Sequence, residues 1–186
     1  AKCDSPKCPV SRRDYPPGMQ GMRRRRRISE YGIRFREKQR AKRYYGMYER
    51  PFRNFFQVAA QSPANTGVRF LTMLESRMDN VIYRAGLARS RPHARQLTRH
   101  GHVRVNDKRL NIPSSRVQPG DVIVLAGGER IAKLTRAVME ETRSRPVPSW
   151  LEVDPKALSI RVLQNPLRQE VPIELREQLI VELMSR

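Results

Sequence analysis

The chain has 186 residues, and its 38 Lys and Arg against 18 Asp and Glu give a formal charge of +20 at pH 7. This length suggests one or two domains. No apolar run approaches the roughly 18 residues of a membrane span, and no apolar signal region opens the sequence. Two cysteines cannot build a disulfide framework, which favours the cytoplasm. The charge indicates a polyanionic partner, namely nucleic acid, an acidic protein or an anionic lipid surface.

The excess charge is concentrated in the first two-thirds of the chain. Residues 1–53 hold 17 basic and 5 acidic side chains, residues 54–125 hold 11 and 4, and residues 126–186 hold 10 and 9. The last third, where both signs are interspersed, is typical of an ordinary soluble scaffold. We therefore expect the anion-binding residues to lie before residue 126.

Residues 1–27 predict an extended basic arm. Pro16-Pro17-Gly18 excludes a helix at that point and favours an extended or turning path. Five consecutive guanidinium groups would repel one another on a free surface but would be neutralised along a phosphate backbone. The candidate nucleic-acid contacts of the arm are Arg12, Arg13, Arg23, Arg24, Arg25, Arg26 and Arg27.

Residues 28–76 predict a helical domain that residues 126–186 complete. Ser29 is a suitable N-cap for a helix that runs to about Tyr45 and ends at Gly46. Basic stripes follow this helix, with Tyr31 and Phe35 beside them for docking. A solvated face is the ordinary interpretation of such stripes, but here an anion-binding face is favoured. Its candidate contacts are Arg34, Arg36, Lys38, Arg40 and Arg43.

Two further helical stretches are predicted after this helix. The first runs from Glu49 to Gln61, and the spacing of its apolar residues, Phe52, Phe55, Phe56 and Ala59, predicts that these aromatic rings pack in the core rather than stack on bases. Arg50 and Arg53 on this helix are also candidate nucleic-acid contacts. The second stretch is capped by Thr66 and continues to Gly86.

Residues 77–125 predict a small α+β module of two helices packed on short antiparallel strands. Its second helix is capped by Ser90 and ends at Gly101; a strand at 103–105, a turn at 106–108, a return strand and a strand at 122–125 follow. Helix spacing places three arginines on one face, which leads into a basic strand edge. The candidate contacts are Arg91, Arg95, Arg99, His100, His102, Arg104, Lys108 and Arg109.

Residues 126–186 predict a C-terminal helix and strands that pack back on the rest. The helix runs from about Glu129 to Glu141, and alternating apolar residues predict strands at 158–162 and at 179–183. The fold class is thus α+β, with an extended basic N-terminal arm, a helical domain and the small α+β module inserted before a C-terminal scaffold segment.

Few residues suit catalysis or metal binding. His93, His100 and His102 lie beside arginines, which would hold them neutral, and no carboxylate lies nearby in sequence to orient a base. Cys3 and Cys8 supply only two of the four ligands of a tetrahedral zinc site. We expect two free thiols, with half of a zinc site as the alternative, and no required cofactor.

Two sequence runs in the 77–125 segment are similar to an RNA-binding module that is named after ribosomal protein S-four. They are Ser90-Arg91-Pro92-His93-Ala94-Arg95-Gln96-Leu97 and Gly101-His102-Val103-Arg104-Val105-Asn106. The family pattern continues with Gly, where this chain has Asp107. This module also occurs in pseudouridine synthases, tyrosyl-tRNA synthetases and heat-shock proteins, so by itself the resemblance implies only RNA binding.

The rest of the chain resembles the bacterial small-subunit ribosomal protein S-four family over nearly its whole length. The matching runs lie at residues 15–18, 36–39, 53–56, 74–81 and 177–182. The resemblance implies a structural protein, not an enzyme, that binds the 5′ domain of small-subunit ribosomal RNA, nucleates subunit assembly and influences translational accuracy. It also implies contact with ribosomal protein S-five, proximity to the incoming mRNA and, in some members, repression of their own operon.

Two other classes compete with this interpretation. Arg77-Met78-Asp79 resembles the sequence around the catalytic aspartate of a pseudouridine synthase, but only 61 residues follow Leu125, too few for that enzyme's catalytic domain. We expect Asp79 to cap a helix or form a salt bridge instead. A zinc-dependent redox or regulatory protein would depend on the two cysteines alone.

Overall fold

The computed structural model describes residues 9–13, 15, 18–19, 28–63 and 65–185, and it confirms the predicted α+β class. The helices are α1 (Pro9–Arg12), α2 (Glu30–Tyr44), α3 (Glu49–Ala60), α4 (Thr66–Glu75), α5 (Met78–Arg84), α6 (Arg91–Arg99), α7 (Gly128–Glu141) and α8 (Glu177–Met184). The strands are β1 (Val103–Val105), β2 (Lys108–Leu110), β3 (Val122–Leu125), β4 (Leu151–Asp154) and β5 (Ser159–Val162). A 3-10 turn covers Arg168–Glu170. In the described part of the chain, no helix is both long and apolar enough to cross a membrane.

The five strands form one antiparallel sheet in the order β2-β1-β3-β5-β4. A two-residue turn joins β1 to β2, and both of its residues have positive φ, 47° at Asn106 and 64° at Asp107. This is the turn that matches the right-handed twist of a hairpin, and Asn and Asp tolerate it better than other non-glycine residues. The aspartate at position 107 is therefore compatible with the hairpin.

Apolar side chains divide into two buried clusters. The first lies between the sheet and the helices α5, α6 and α7, and includes Trp150 and Ile160. The second lies among α2, α3, α4 and α8 and is rich in aromatic rings. Phe52 and Phe56 make edge-to-face contacts with Phe70, with ring centroids 5.0 and 5.7 Å apart. These two phenylalanines are core residues, as the sequence predicts.

The predicted caps of α2 and α6 are confirmed, whereas that of α4 is wrong by one residue. The side chains of Ser29 and Ser90 accept hydrogen bonds from the first turns of α2 and α6. At α4 it is Asn65 that accepts from the amides of Gly67 and Val68. Asparagine is the better N-cap of the two adjacent candidates because its side-chain oxygen reaches both amides.

The helical stretch predicted from residue 66 to Gly86 is broken into α4 and α5. Ser76 ends α4 and its hydroxyl donates to the Thr72 carbonyl, while Arg77 is extended, with φ −68° and ψ 139°. Arg77 forms an antiparallel bridge with Arg116, and the Met78 amide donates to the Ser115 carbonyl. Apolar periodicity continues across the break, so it could not reveal this change of direction.

The strand predicted at 179–183 is wrong: these residues lie in α8. Leu179, Val181 and Leu183 alternate, but Ile180 is the buried residue, and Val181 and Met184 pack around the second cluster with the spacing of a helix. The sheet gains β4 instead, which the sequence analysis did not predict. In the arm, α1 is a short helix where an extended chain was expected, whereas Gly18 has a φ of 110°.

Candidate nucleic-acid interface

The end of α6 and the hairpin β1–β2 present one group of exposed basic side chains. These residues, which we call the module face, are Arg99, His100, Arg104 and Arg109. Within the described ranges none of them has a carboxylate partner. His102 lies half-buried beside them, and its ring centroid is 6.1 Å from that of His100. The structure therefore places these candidate contacts together. The predicted contact Lys108 is exposed but lies opposite Val105, on the other face of the hairpin.

The hairpin register sets two arginines opposite each other. Arg104 is directly opposite Arg109 across the β1–β2 ladder. Like charges in directly opposed positions destabilise a sheet by roughly 0.2–1 kcal/mol. A bound polyanion would turn this repulsion into attraction, because one phosphate backbone can neutralise both groups.

Gly101 leaves the space that the Arg109 guanidinium occupies on this surface. It has a φ of 75°, which suits glycine, and a Cβ added there would overlap the Arg109 guanidinium. The guanidinium lies across the turn and its Nη2 donates to the His100 carbonyl over 3.4 Å. Sequence analysis identified Gly101 only as a helix stop, because the contact with Arg109 depends on how the hairpin folds back.

Arg91 begins the same helix as Arg99 but points into the protein, which corrects its predicted place on an open basic face. Its guanidinium carbon lies 4.0 Å from the Tyr44 ring centroid and 4.3 Å from that of Tyr83. Its Nε donates to Asn80 Oδ1 over 2.9 Å. We therefore leave Arg91 out of the module face.

Arg95 is intermediate between these two positions. Its side chain is 44% exposed, and its Nη1 lies 3.4 Å from Asp79 Oδ2. Asp79 is buried and also accepts two hydrogen bonds from Arg77, over 3.1 and 2.6 Å. The expected salt-bridging role of Asp79 is thereby confirmed, and Arg95 is partly occupied by the same carboxylate.

A second exposed basic surface lies on α2. We call it the α2 face, and it consists of Arg36, Arg40 and Arg43. Among the described residues only Arg40 of this group has a carboxylate near it, Glu37 at 3.8 Å. Arg50 and Arg53 are exposed on α3, and Arg12 and Arg13 are exposed near the start of the chain. The predicted contacts Arg23, Arg24, Arg25, Arg26 and Arg27 lie outside the described residues.

Two predicted contacts on α2 are used inside the protein instead. Lys38 is buried and its ammonium donates to Glu49 over 2.5 Å. The hydrogen bonds from Lys38 and then from Lys42 hold the pKa of Glu49 below its ordinary value. Arg34 donates to Glu182 over 2.8 Å and to Glu30 over 3.1 Å. Lys38 and Arg34 therefore fix α2 to its neighbours, and we leave both out of the α2 face.

The three histidines are the predicted catalytic or metal-binding candidates that lie within the described residues. Burial, and then the charge of Arg89, lower the pKa of His93, which agrees with the expectation that it is neutral. No group of three or more His, Cys, Asp and Glu side chains in the described ranges is arranged to hold a metal ion. Cys3 and Cys8 lie outside those ranges.

Proteins from several bacteria are similar to this chain over its whole length. The small ribosomal subunit protein uS4 of Thermus thermophilus is 47% identical over 185 residues, which cover 100% of this chain and 88% of the relative. The chain belongs to the ribosomal protein S4 family. Proteins of the same name from Dictyoglomus turgidum and Acidothermus cellulolyticus are 48% and 49% identical, with 88% and 89% of their lengths covered.

Two models of S4-family segments match adjacent parts of the chain. One, described as the ribosomal protein S4/S9 N-terminal domain, matches residues 1–75, and the other, the S4 domain, matches residues 76–123. The α2 face lies in the first match and the module face in the second. This is the S-four family that the sequence motifs resemble, so that prediction is confirmed.

Proposed function

We propose that the module face and the α2 face are the surfaces through which this protein binds small-subunit ribosomal RNA. Membership of the S4 family makes the chain a structural, RNA-binding protein of the small ribosomal subunit. The observation that carries the assignment of the module face is that Arg104 lies opposite Arg109 in the hairpin register and that neither has a carboxylate partner among the described residues. We further propose that it binds the 5′ domain, nucleates assembly and contributes to translational accuracy.

The form of the module face favours duplex RNA over the other polyanions. A-form RNA has a wide, shallow minor groove that proteins recognise by shape and by sugar and phosphate contacts. The hairpin and the end of α6 offer an exposed edge with guanidinium groups, and α6 itself has only 9 residues. Gln96 is exposed on α6, but one amide is little support for reading bases in a DNA major groove.

We propose that another ribosomal protein, S-five as the family resemblance implies, docks on the exposed first half of α2. Tyr31 and Phe35 stack on each other there with centroids 6.0 Å apart, and both are exposed. Exposed aromatic and aliphatic side chains are suited to a protein contact. Proximity to the incoming mRNA is a further proposal from the same resemblance.

We propose that the protein acts in the cytoplasm as a structural component without enzymatic activity or required cofactor. Asp79, the residue that resembles a catalytic aspartate, is buried and engaged by two arginines. A tritium-release assay on uridine-labelled RNA tests this, since turnover that Asp79→Ala abolishes would contradict it. Metal analysis of the purified protein, with and without Cys8→Ser, tests whether zinc is bound.

Footprinting on small-subunit ribosomal RNA tests the proposed binding directly. The protein should protect backbone positions in the 5′ domain from hydroxyl radicals. A variant with Arg99→Ala, Arg104→Ala and Arg109→Ala should lose one contiguous part of that protection and keep the rest. If this variant keeps all of the protection, the assignment of the module face is contradicted. Equal protection of an unrelated RNA would contradict specific binding.

A further inference from the structure

Buried polar groups meet where the two apolar clusters adjoin. The carboxylate of Glu75, at the end of α4, is 1% exposed. One of its oxygens accepts a hydrogen bond from the Tyr45 hydroxyl over 2.6 Å, and the other accepts from Asn80 Nδ2 over 2.8 Å. One carboxylate therefore connects the residue that follows α2 with α4 and α5.

Arg91 extends this group of residues to α6. Asn80 donates to Glu75 through its amide nitrogen and accepts from Arg91 through its amide oxygen. Tyr44 of α2 and Tyr83 of α5 flank the Arg91 guanidinium, and Arg91 Nη2 is buried without a hydrogen-bond acceptor among the described residues. We call the set Tyr44, Tyr45, Glu75, Asn80, Tyr83, Arg84 and Arg91 the junction.

The charges in the junction suit a fixed arrangement. Arg84 is buried, with its Nε 3.6 Å from Glu75 Oε2 and its Nη2 donating to the Glu170 carbonyl over 2.8 Å. Burial, and then the Glu75 charge, raise the pKa of Tyr45 well above its ordinary value, so its hydroxyl remains a donor. Buried groups of this kind are costly to rearrange because each loses a partner that water cannot replace.

We propose that Arg91 is a positioning residue that locks the α2 face and the module face in one relative orientation. The inference rests on the proposed function, because the lock matters for binding only if both faces contact the same RNA. Tyr44 is in the last turn of α2, which carries the first face, and Arg91 is the first residue of α6, which leads into the second. Their 4.0 Å contact joins the two helices that carry these surfaces.

A lock of this kind would raise affinity without touching the RNA. Two faces that are already held at the spacing of their phosphates do not lose orientational freedom on binding. Arg91 therefore differs from Arg99 in a measurable way: its loss should weaken binding but should leave the number of neutralised phosphates unchanged. The salt dependence of binding reports that number.

The first experiment measures orientation without RNA. Spin labels are placed at Gln57→Cys on α3 and Lys133→Cys on α7, both exposed positions outside the two faces, in a Cys3→Ser, Cys8→Ser background. Electron–electron double resonance should give a narrow distance distribution for the parent and a broader one for Arg91→Lys. Tyr44→Leu, which leaves Arg91 intact, should broaden it as well. A distribution that stays narrow in both variants would overturn the proposal.

The second experiment compares Arg91→Ala with Arg99→Ala in binding to the 5′ domain RNA. For Arg91→Ala we expect Kd to rise about tenfold through lost preorganisation, with an unchanged slope of log K against log salt. For Arg99→Ala the slope should become shallower by the equivalent of about one phosphate contact. An equal loss of slope in Arg91→Ala would overturn the proposal. If the parent protein does not bind this RNA, the proposed function is contradicted. The proposed lock can still be judged in that case, because the distance measurement does not involve RNA.

Discussion

The junction and the module face are both rich in arginine, but their arginines have opposite surroundings. In and beside the junction, Arg77, Arg84 and Arg91 contact carboxylates, amides or aromatic rings, and Arg77 is only 2% exposed. On the module face, Arg99 and Arg104 are exposed and lack an acidic partner in the described part of the chain. Charge counted along a sequence therefore overstates the charge that remains available to a ligand.

The largest effect is expected from removing the carboxylate at the centre of the junction. Glu75→Ala should lower the free energy of unfolding by about 3–5 kcal/mol, because it leaves Arg84, Tyr45 and Asn80 buried without their partner. Urea denaturation measures this loss. Glu140→Ala, at an exposed position on α7, is the matched control and should change stability by less than about 0.5 kcal/mol. Similar losses in the two variants would show that the junction is not a stabilising network.

An intermediate effect is expected at the turn that supports the module face. Gly101→Ala forces a Cβ into a left-handed position, which costs about 1–2 kcal/mol, and it also displaces the Arg109 guanidinium. Gly120→Ala is the control, because Gly120 has a φ of 93° but no atom within 4 Å of an added Cβ. Both variants should lose stability, but only Gly101→Ala should weaken RNA binding in a filter-binding assay. Equal affinities of the two would contradict the positioning of Arg109.

A smaller effect of opposite sign is expected at Arg109. Arg109→Ala removes the repulsion from Arg104, so the free protein should become more stable by roughly 0.2–1 kcal/mol while RNA binding weakens. Thermal unfolding and RNA binding of the same preparation measure the two changes. A loss of both stability and affinity would place Arg109 with the structural arginines of the junction.

The smallest effect is expected in acid, at a partly exposed pair that belongs to neither region. Arg168 donates to Glu177 over 3.0 Å, and this hydrogen bond holds the pKa of Glu177 below its ordinary value of 4.5. The pair therefore stabilises the fold above pH 4.5, and this contribution is lost as the pH falls through the lowered pKa. Glu177→Gln should cost roughly 0.2–1 kcal/mol at pH 7 and less at pH 3. An equal cost at both pH values would contradict the ion pair.

Local signals in the sequence predicted much of the fold. Ser29 and Ser90 are followed by helices that their side chains cap, and the alternation of Val103 and Val105 gave a real strand. Signals of this kind involve residues that are close in sequence, so the physics that acts on them is visible in a short window. Alternation failed at 179–183, where packing of Ile180 against the aromatic cluster selects a helix.

The fate of individual basic side chains could not be predicted in the same way. Helix spacing correctly aligns Arg91, Arg95 and Arg99, but it does not show that Tyr44 lies against the first of them. Likewise, Lys38 is buried because Glu49, on the next helix, turns back toward it. Such contacts depend on how separate elements pack, so spacing along α2 and α6 could not separate the exposed basic side chains from those with partners inside the protein.

The most direct test of the whole account compares two triple variants that remove the same charge. One carries Arg99→Ala, Arg104→Ala and Arg109→Ala on the module face, and the other carries Arg130→Ala, Arg136→Ala and Arg143→Ala, which are exposed on or just after α7. The measurement is the slope of log K against log salt for binding to small-subunit ribosomal RNA. In the first variant we expect this slope to become shallower by the equivalent of about two to three phosphate contacts. In the second variant the slope should not change. An equal loss in both would show that bulk charge, rather than the module face, binds the RNA.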